Sequence, residues 1–192
     1  MQKENLSFDQ IMAIYNHIGE EERHFNSLEM EYRKLASQWL LVSLGAIGFI
    51  LSKQELVPIN VWVLVTGICM AATVGILVLW LLDLKVYHEL LHGAFKEGVL
   101  LENEFPHLLP QIRNNMAKSQ TGGDIITKVI LYYFFSILLL ITIADIAVWM
   151  LASSKLWLCL GTNFISLVLL FLIYRVMTNR STRHFHVDEI LT

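Results

Sequence analysis

Residues 61–82 read VWVLVTGICMAATVGILVLWLL, a stretch of 22 positions without a charged side chain. About 20 apolar residues in a helix cross a hydrocarbon core of roughly 30 Å, so this stretch is long enough to span a membrane. Three further apolar stretches approach or reach that length, at 36–52, 126–151 and 156–177. Because lipid offers no partner to backbone N–H and C=O groups, we expect all four to be helices. The sequence therefore predicts an all-α, polytopic membrane protein with four transmembrane helices.

The composition is typical of the same class. Of 192 residues, 55% are hydrophobic and 16% are charged, against about 45–50% and about 25% in soluble domains. A soluble fold of this length has too little interior for so much apolar surface. Cys69 and Cys159 both lie in apolar runs, so we expect no disulfide framework. The net charge of −3 excludes an electrostatic nucleic-acid binder, and we expect no direct contact with nucleic acid.

Short polar turns at 53–60 and 152–155 join the spans into two hairpins. The second span continues as a helix to about Glu104, where Pro106 and Pro110 end it. The sequence thus predicts five segments, namely a cytoplasmic amphipathic arm (1–35), a first transmembrane hairpin (36–83), a cytoplasmic helix and linker (84–125), a second transmembrane hairpin (126–178) and a basic cytoplasmic tail (179–192).

Lysine and arginine indicate the orientation, because cytoplasmic segments carry an excess of both. Of the 14 such residues, only Lys53 and Lys155 lie in the hairpin turns. We therefore expect a multi-pass protein of a bacterial inner membrane with both termini in the cytoplasm. Arg175, Arg180 and Arg183 follow the fourth span, where we expect them to bind anionic lipid headgroups.

The five tryptophans lie near predicted span ends: Trp39, Trp62, Trp80, Trp149 and Trp157. Tryptophan is enriched where membrane meets water, because its ring is apolar and its N–H is polar. We therefore expect all five, Trp80 included, to form interfacial belts.

The arm has the pattern of an amphipathic helix. Ser7 and Gln10 are spaced as a capping box, and Gly19 is a candidate hinge between two helices. A seam of apolar residues follows at spacings of mostly three and four: Ile11, Ile14, Ile18, Phe25, Leu28, Tyr32 and Leu35. Two interpretations stay open, packing of this seam on the protein's own central segment and helix-to-helix assembly with other protomers or a partner.

One string matches a catalytic motif. His88, Glu89 and His92 form H-E-x-x-H on a predicted helix, in which two histidines one turn apart bind zinc and the glutamate polarises a metal-bound water. Three fixed positions are a weak signal, and Lys85 and Lys96 flank the string with positive charge. We therefore favour a solvated helix face and expect no cofactor and no enzymatic activity, with a zinc-dependent membrane hydrolase as an alternative.

Asp145 is the one acidic residue well inside a predicted span. With a rise of 1.5 Å per residue, an antiparallel hairpin places it level with Thr162 and Asn163. Intramembrane carboxylates usually face protein or water. Three interpretations stay open: a protonated Asp145 hydrogen-bonded to Asn163, a water-facing Asp145 in the ion or proton path of an oligomeric channel, and simple closeness to the interface.

Small residues recur along two predicted spans: Gly67, Ala71 and Gly75 on the second, and Gly45 and Gly48 on the first. Such a stripe lets a neighbouring helix approach closely. Packing of the two spans within one chain and packing between protomers are both compatible with it.

The segment Glu29-Met30-Glu31-Tyr32-Arg33-Lys34-Leu35-Ala36-Ser37 leads an amphipathic arm directly into a hairpin. Over residues 8–83 this layout resembles the SLATT-type membrane effectors of bacterial phage-defence and conflict systems. The second hairpin departs from the two-span form of that family, so pore formation does not carry over. The four-span layout is also similar to the membrane subunit of Kiwa defence systems, which implies sensing of envelope perturbation and retention of a cytoplasmic effector.

These observations predict a non-enzymatic, oligomeric inner-membrane protein. We expect it to contact membrane lipids, to assemble as a homo-oligomer and to bind a cytoplasmic protein partner, while it anchors that partner or senses the state of the membrane. An ion-conducting oligomer that uses Asp145 is one alternative, and the zinc-dependent hydrolase is the other.

Overall fold

The computed structural model describes residues 6–56, 58–119 and 123–151, together with Phe171 and Arg175. All elements within these ranges are helical. In chain order they are α1 (Phe8–Ser52), a 3-10 turn (Gln54–Leu56), α2 (Val61–Leu81), a π-helical turn (Leu82–Tyr87), α3 (His88–Glu104), α4 (Ile112–Ser119) and α5 (Gly123–Leu151).

Three helical stretches are long and apolar enough to cross a membrane: Phe8–Ser52, Val61–Glu104 and Thr127–Leu151. They confirm the all-helical class and three of the four predicted spans, and they indicate a membrane-embedded protein. The fourth predicted span, 156–177, lies outside the described residues except for Phe171 and Arg175. The four-span count and the two-hairpin arrangement therefore remain predictions.

Contacts divide the chain into two compact units. Their described parts are residues 6–32 with 81–119, which we call the arm unit, and residues 33–80 with 123–151, which we call the span unit. Helix α1 contributes to both units, and so does the helical stretch that begins at Val61.

The span unit is built on rows of buried side chains at spacings of three and four, the spacing that keeps one helix face against its neighbours. They are Val65, Cys69, Ala72, Ile76 and Trp80 on α2, and Ile130, Tyr133, Ile137, Leu140, Ala144 and Ala147 on α5. Other apolar residues of α2, among them Met70, Val74 and Val78, are exposed, as expected for side chains that face lipid.

Trp80 departs from the predicted interfacial belt, and for this residue the prediction is wrong. Its side chain is 0% exposed, and its ring stacks on Tyr133 with 5.9 Å between the centroids. The reason is its register, because Trp80 follows Ile76 by four residues and so falls on the buried row of α2. Trp39 and Trp149 are exposed at 45% and 57%, and their place in an interfacial belt stays a prediction.

Helix α1 begins with the predicted capping box. The Ser7 backbone N–H donates to Gln10 Oε1 at 2.9 Å, and the Gln10 backbone N–H donates to Ser7 Oγ at 3.3 Å. The predicted hinge at Gly19 is wrong, because α1 runs unbroken from Phe8 to Ser52. One glycine costs a helix only about 1 kcal/mol relative to alanine, which the packing of a long helix readily offsets.

Helix α3 ends at Glu104, immediately before the predicted proline stop. Phe105 leaves helical geometry at φ −123° and ψ 58°, and its carbonyl accepts from the backbone N–H groups of Leu108 and Leu109 at 3.1 and 3.0 Å. This tight turn reverses the chain and brings α4 back onto α3.

Candidate functional site

The arm unit contains a polar cluster around the buried Glu102, Arg113 and Asn114, with Tyr15, Glu22 and Gln111 half-buried beside them. We call these six residues the Glu102 cluster. Glu102 lies at its centre on α3 and is 0% exposed. A buried carboxylate is stable only when it is paired and hydrogen-bonded, so its partners define the cluster.

Glu102 caps helix α4. Its Oε1 accepts from the backbone N–H of Arg113 at 2.9 Å, and its Oε2 accepts from the backbone N–H of Asn114 at 3.0 Å. The Asn114 side-chain amide donates to the same Oε2 at 3.1 Å. N–H groups in the first turn of a helix have no partner within the helix. The carboxylate supplies that partner, and its negative charge suits the positive end of the helix dipole.

Arg113 ties α4 to α1. Its Nε donates to Glu22 Oε1 at 2.6 Å and its Nη2 donates to Glu22 Oε2 at 3.1 Å, which is the bidentate geometry of a strong ion pair. Nη1 lies 3.5 Å from Glu102 Oε1, and the guanidinium carbon lies 4.6 Å from the centre of the Tyr15 ring. Burial lowers the pKa of Arg113, but hydrogen bonding and attraction to Glu22 outweigh it, so that its pKa is raised.

Glycine makes room for this arginine. A Cβ atom at Gly98 on α3 would overlap Cδ and Nε of the Arg113 side chain. At Gly19 on α1, a Cβ atom would lie 3.5 Å from Arg113 Nη2, an ordinary contact. Gly98 therefore has a packing reason to be glycine, whereas Gly19 does not.

Polar residues of α1 at seven-residue spacing contact the central segment. The Tyr15 hydroxyl donates to Glu102 Oε1 at 3.4 Å, Glu22 binds Arg113, and Glu29 Oε1 lies 3.0 Å from His88 Nδ1. Seven residues are two helical turns, so the three side chains share one face of α1. Sequence reasoning missed them because it counted apolar positions only; the spacing itself was the available signal.

The predicted apolar seam lies partly beside this polar row. Ile11 is buried and Ile14 is exposed at 40%, while Ile18, Phe25, Leu28 and Tyr32 are half-buried; Leu35, in the span unit, is exposed at 46%. Tyr32 donates a hydrogen bond to the Tyr87 hydroxyl at 3.2 Å, and the two rings stack at 4.9 Å. These contacts correspond to the interpretation in which the arm packs on its own central segment. Assembly through the seam stays a prediction.

The H-E-x-x-H string lies at the start of α3. His88 contacts Glu29 as described, Glu89 is exposed and His92 is half-buried. Within the described ranges, no group of three His, Cys, Asp or Glu side chains is arranged to hold a metal ion.

Asp145 is half-buried on α5 and makes no hydrogen bond to another described residue. Its predicted neighbours Thr162 and Asn163 lie outside the described part of the chain, as do Arg180 and Arg183. Arg175 is helical and exposed.

The small residues of the span unit fall into two kinds. Gly45, Gly48 and Gly67 are exposed, and a Cβ atom at any of them would meet no other atom within 4 Å; Ala71 is exposed as well. Gly75 differs, because a Cβ atom there would lie 2.6 Å from Trp39 Nε1. Gly75 therefore lets the Trp39 indole lie against α2, while the others leave an open face.

No known protein family, curated protein or solved structure matches this chain. In the Glu102 cluster, both carboxylate oxygens of Glu102 accept from N–H donors and both of Glu22 accept from Arg113. Such oxygens fix helices to one another, and the arrangement is suited to positioning rather than to proton transfer.

Proposed function

We propose that this chain is a non-enzymatic, oligomeric protein of a bacterial inner membrane, with both termini in the cytoplasm. It anchors or senses at the membrane and binds a cytoplasmic partner through the arm unit. The observation that carries the proposal is the link Glu102–Arg113–Glu22, which ties α3, α4 and α1 into one body. Its charged groups are used in holding that body together, so recognition rather than catalysis is the role that it supports.

The continuity of two helices supports a sensing role. Helix α1 belongs to the arm unit up to residue 32 and to the span unit from residue 33. The stretch Val61–Glu104 is likewise helical from the span unit into the arm unit. Each of these stretches therefore leads from a predicted span into a segment that carries cluster residues.

The exposed apolar side chains of the arm support the binding of a protein partner. On α1, Phe8, Ile14 and Met30 are exposed at 53%, 40% and 60%. Photo-crosslinking tests this role, with a crosslinking amino acid at Ile14 and a matched control at Val42, which is exposed at 69% in the span unit. The proposal expects a cross-link to one soluble cytoplasmic protein from position 14 and none from position 42. Cross-links to lipid alone at both positions would overturn partner binding.

Native mass spectrometry of the full chain in lipid nanodiscs tests the oligomer. We expect species at multiples of 22.1 kDa; a strictly monomeric protein would contradict the proposal. If protomers approach through the exposed stripe of α2, Gly67→Leu disrupts the oligomer, because the larger side chain prevents close helix contact. Met70→Leu, at an equally outward position exposed at 59%, is the matched control.

A second candidate function is ion conduction by the oligomer. It is favoured by the half-buried Asp145 of α5, which has no hydrogen-bond partner among the described residues, since intramembrane carboxylates commonly mark ion or proton paths. Planar-bilayer recordings of the wild type and Asp145→Asn decide it. A conductance of the wild type that is lower in Asp145→Asn supports the channel. If the wild type shows no conductance, ion conduction is ruled out as a function.

A further inference from the structure

One side of α3 is exposed along most of its length. Its apolar members, Val86, Leu90 and Leu100, are exposed at 42%, 46% and 41%. Gly93 and Glu97 lie between them and are exposed as well. We call these five residues the outer row; Val86 belongs to the π-helical turn that precedes α3. Their spacings of four, three, four and three residues keep them on one face, as in the seam of a coiled coil.

The outer row lies on the opposite side of α3 from the Glu102 cluster. The buried residues of α3 are Gly98, Val99 and Glu102. At 100° per residue, the centre of the outer row is about 160° away from them around the helix axis. The row is therefore separate from the surface through which α3 packs on α4, and both surfaces belong to the arm unit.

Two charges indicate what covers the outer row. Glu97 lies in the row and Lys96 lies beside it; both are exposed, and neither forms an ion pair with another described residue. Lipid is a poor occupant, because a carboxylate is costly against acyl chains. In a parallel pair of α3 helices, each row side chain packs into a hole formed by four residues of the facing helix. For Glu97 that hole includes Lys96 of the second copy, so the two lysines neutralise the two glutamates.

We propose that the outer row of α3 is a self-association surface, which pairs in parallel with the outer row of a second copy of this chain. The same patch then serves on both copies, as a two-fold symmetric interface requires. The row alone is smaller than the about 800 Å² per partner of a typical stable complex. Under the proposed function, on which this inference rests, both copies lie in one membrane with one orientation. Their effective concentration is therefore high, and a small contact is sufficient.

Disulfide cross-linking in proteoliposomes tests this pairing on the full chain. In a background with Cys69 and Cys159 replaced by alanine, the single-cysteine variants are Leu90→Cys and Leu100→Cys in the row and Asn103→Cys, which is exposed beside it. We expect dimers to form at least about fivefold faster from positions 90 and 100 than from position 103, because only the row positions of a parallel pair face their own copies.

Charge reversal distinguishes a second copy from any other occupant. Lys96→Glu brings four carboxylates together and should slow dimer formation from position 100 at least about threefold. Lys96→Glu combined with Glu97→Lys restores it, since the two charges are exchanged within the same symmetric contact. Lys118→Glu is the matched control, an equal change of charge at an exposed position of α4, and leaves dimer formation unchanged.

Native mass spectrometry of the same variants separates failure of the inference from failure of the proposed function. Oligomers without preferential cross-linking from the row, or with cross-linking that Lys96→Glu does not slow, overturn the outer-row contact while the oligomer stands. A strictly monomeric chain overturns both. Cross-links from positions 90 and 100 to a different protein in cells, in place of dimers, would identify another occupant and would also overturn the inference.

Discussion

The carboxylate of Glu102 contacts Arg113 twice, at 2.9 Å from its backbone nitrogen and at 3.5 Å from its Nη1 atom. One buried side chain thereby caps a helix and neutralises the arginine that joins this helix to α1. Removing one member of such a buried pair leaves the other uncompensated, which is far more costly than losing an exposed ion pair.

Glu102→Gln therefore destabilises the arm unit by about 3 kcal/mol, because an amide NH₂ faces a backbone N–H donor and Arg113 loses a counter-charge. Hydrogen-exchange mass spectrometry measures this destabilisation as faster amide exchange in the α4 peptide. Glu97→Gln, at an exposed position of the same helix, is the control and leaves exchange unchanged. Equal exchange in both variants would contradict the capping role.

Alanine substitution at two glycines of α3 is expected to change the stability of the arm unit in opposite directions. Gly98→Ala places a Cβ atom on the Arg113 side chain and destabilises the arm unit by about 1–3 kcal/mol. Gly93→Ala meets nothing within 4 Å and stabilises the helix by up to about 1 kcal/mol. Thermal unfolding in detergent, followed by the circular dichroism of the full chain, compares them. A loss of stability in Gly93→Ala as large as that in Gly98→Ala would refute the packing argument.

The same contrast applies in the span unit. Gly75→Ala forces the Trp39 indole away from α2, at a cost of about 1–3 kcal/mol, while Gly67→Ala is tolerated because the space around it is open. Trp39→Ala combined with Gly75→Ala recovers part of the loss, since the clash is gone. Unfolding temperatures of Gly67→Ala, Gly75→Ala, Trp39→Ala and the double variant in detergent give the result. Additive losses in the double variant would be inconsistent with this contact.

Alkaline pH is expected to weaken the arm unit. Burial raises the pKa of Tyr15, and the hydrogen bond to Tyr87 raises the pKa of Tyr32. A pKa raised on folding favours the protonated phenol in the folded state. Each phenol therefore contributes fully to the stability of the folded state below the unfolded pKa of about 10, and this contribution is lost as the pH rises through the higher folded pKa. The unfolding temperature of Tyr15→Phe/Tyr32→Phe should fall less between pH 9 and pH 11 than that of the wild type; parallel curves would show that neither phenol contributes.

The spans were predictable because long apolar runs dictate them. The first span was predicted to end at Ser52, where α1 ends, and the second to begin at Val61, where α2 begins. The capping-box spacing of Ser7 and Gln10 predicted the start of α1. Helix α4, with a buried Arg113 and Asn114, carried no apolar periodicity, and its partners lie on other helices. Glu22 is 91 residues from Arg113 in the chain. No local pattern reports such a pairing, which is why the Glu102 cluster emerged only from the structure.

Sequence reasoning also failed where the register of a helix decided burial. Trp80 has the residue type and the sequence position of an interfacial residue, near the end of a predicted span. It nevertheless lies four residues after Ile76 and so falls on the buried row of α2. Glu29 has the charge of a solvent-facing residue, yet it is 4% exposed beside His88. In both cases the neighbouring helix, rather than the side chain itself, determines the environment.

The orientation of the arm unit is the central claim of this account. Cysteine accessibility in intact cells tests it most directly, with single cysteines at Asn115 and at Gln54, both exposed, in a background without Cys69 and Cys159. We predict that a membrane-impermeant maleimide labels position 54 in intact cells and labels position 115 only after the inner membrane is permeabilised. Labelling of position 115 from outside intact cells would contradict a cytoplasmic arm unit and the partner binding proposed for it.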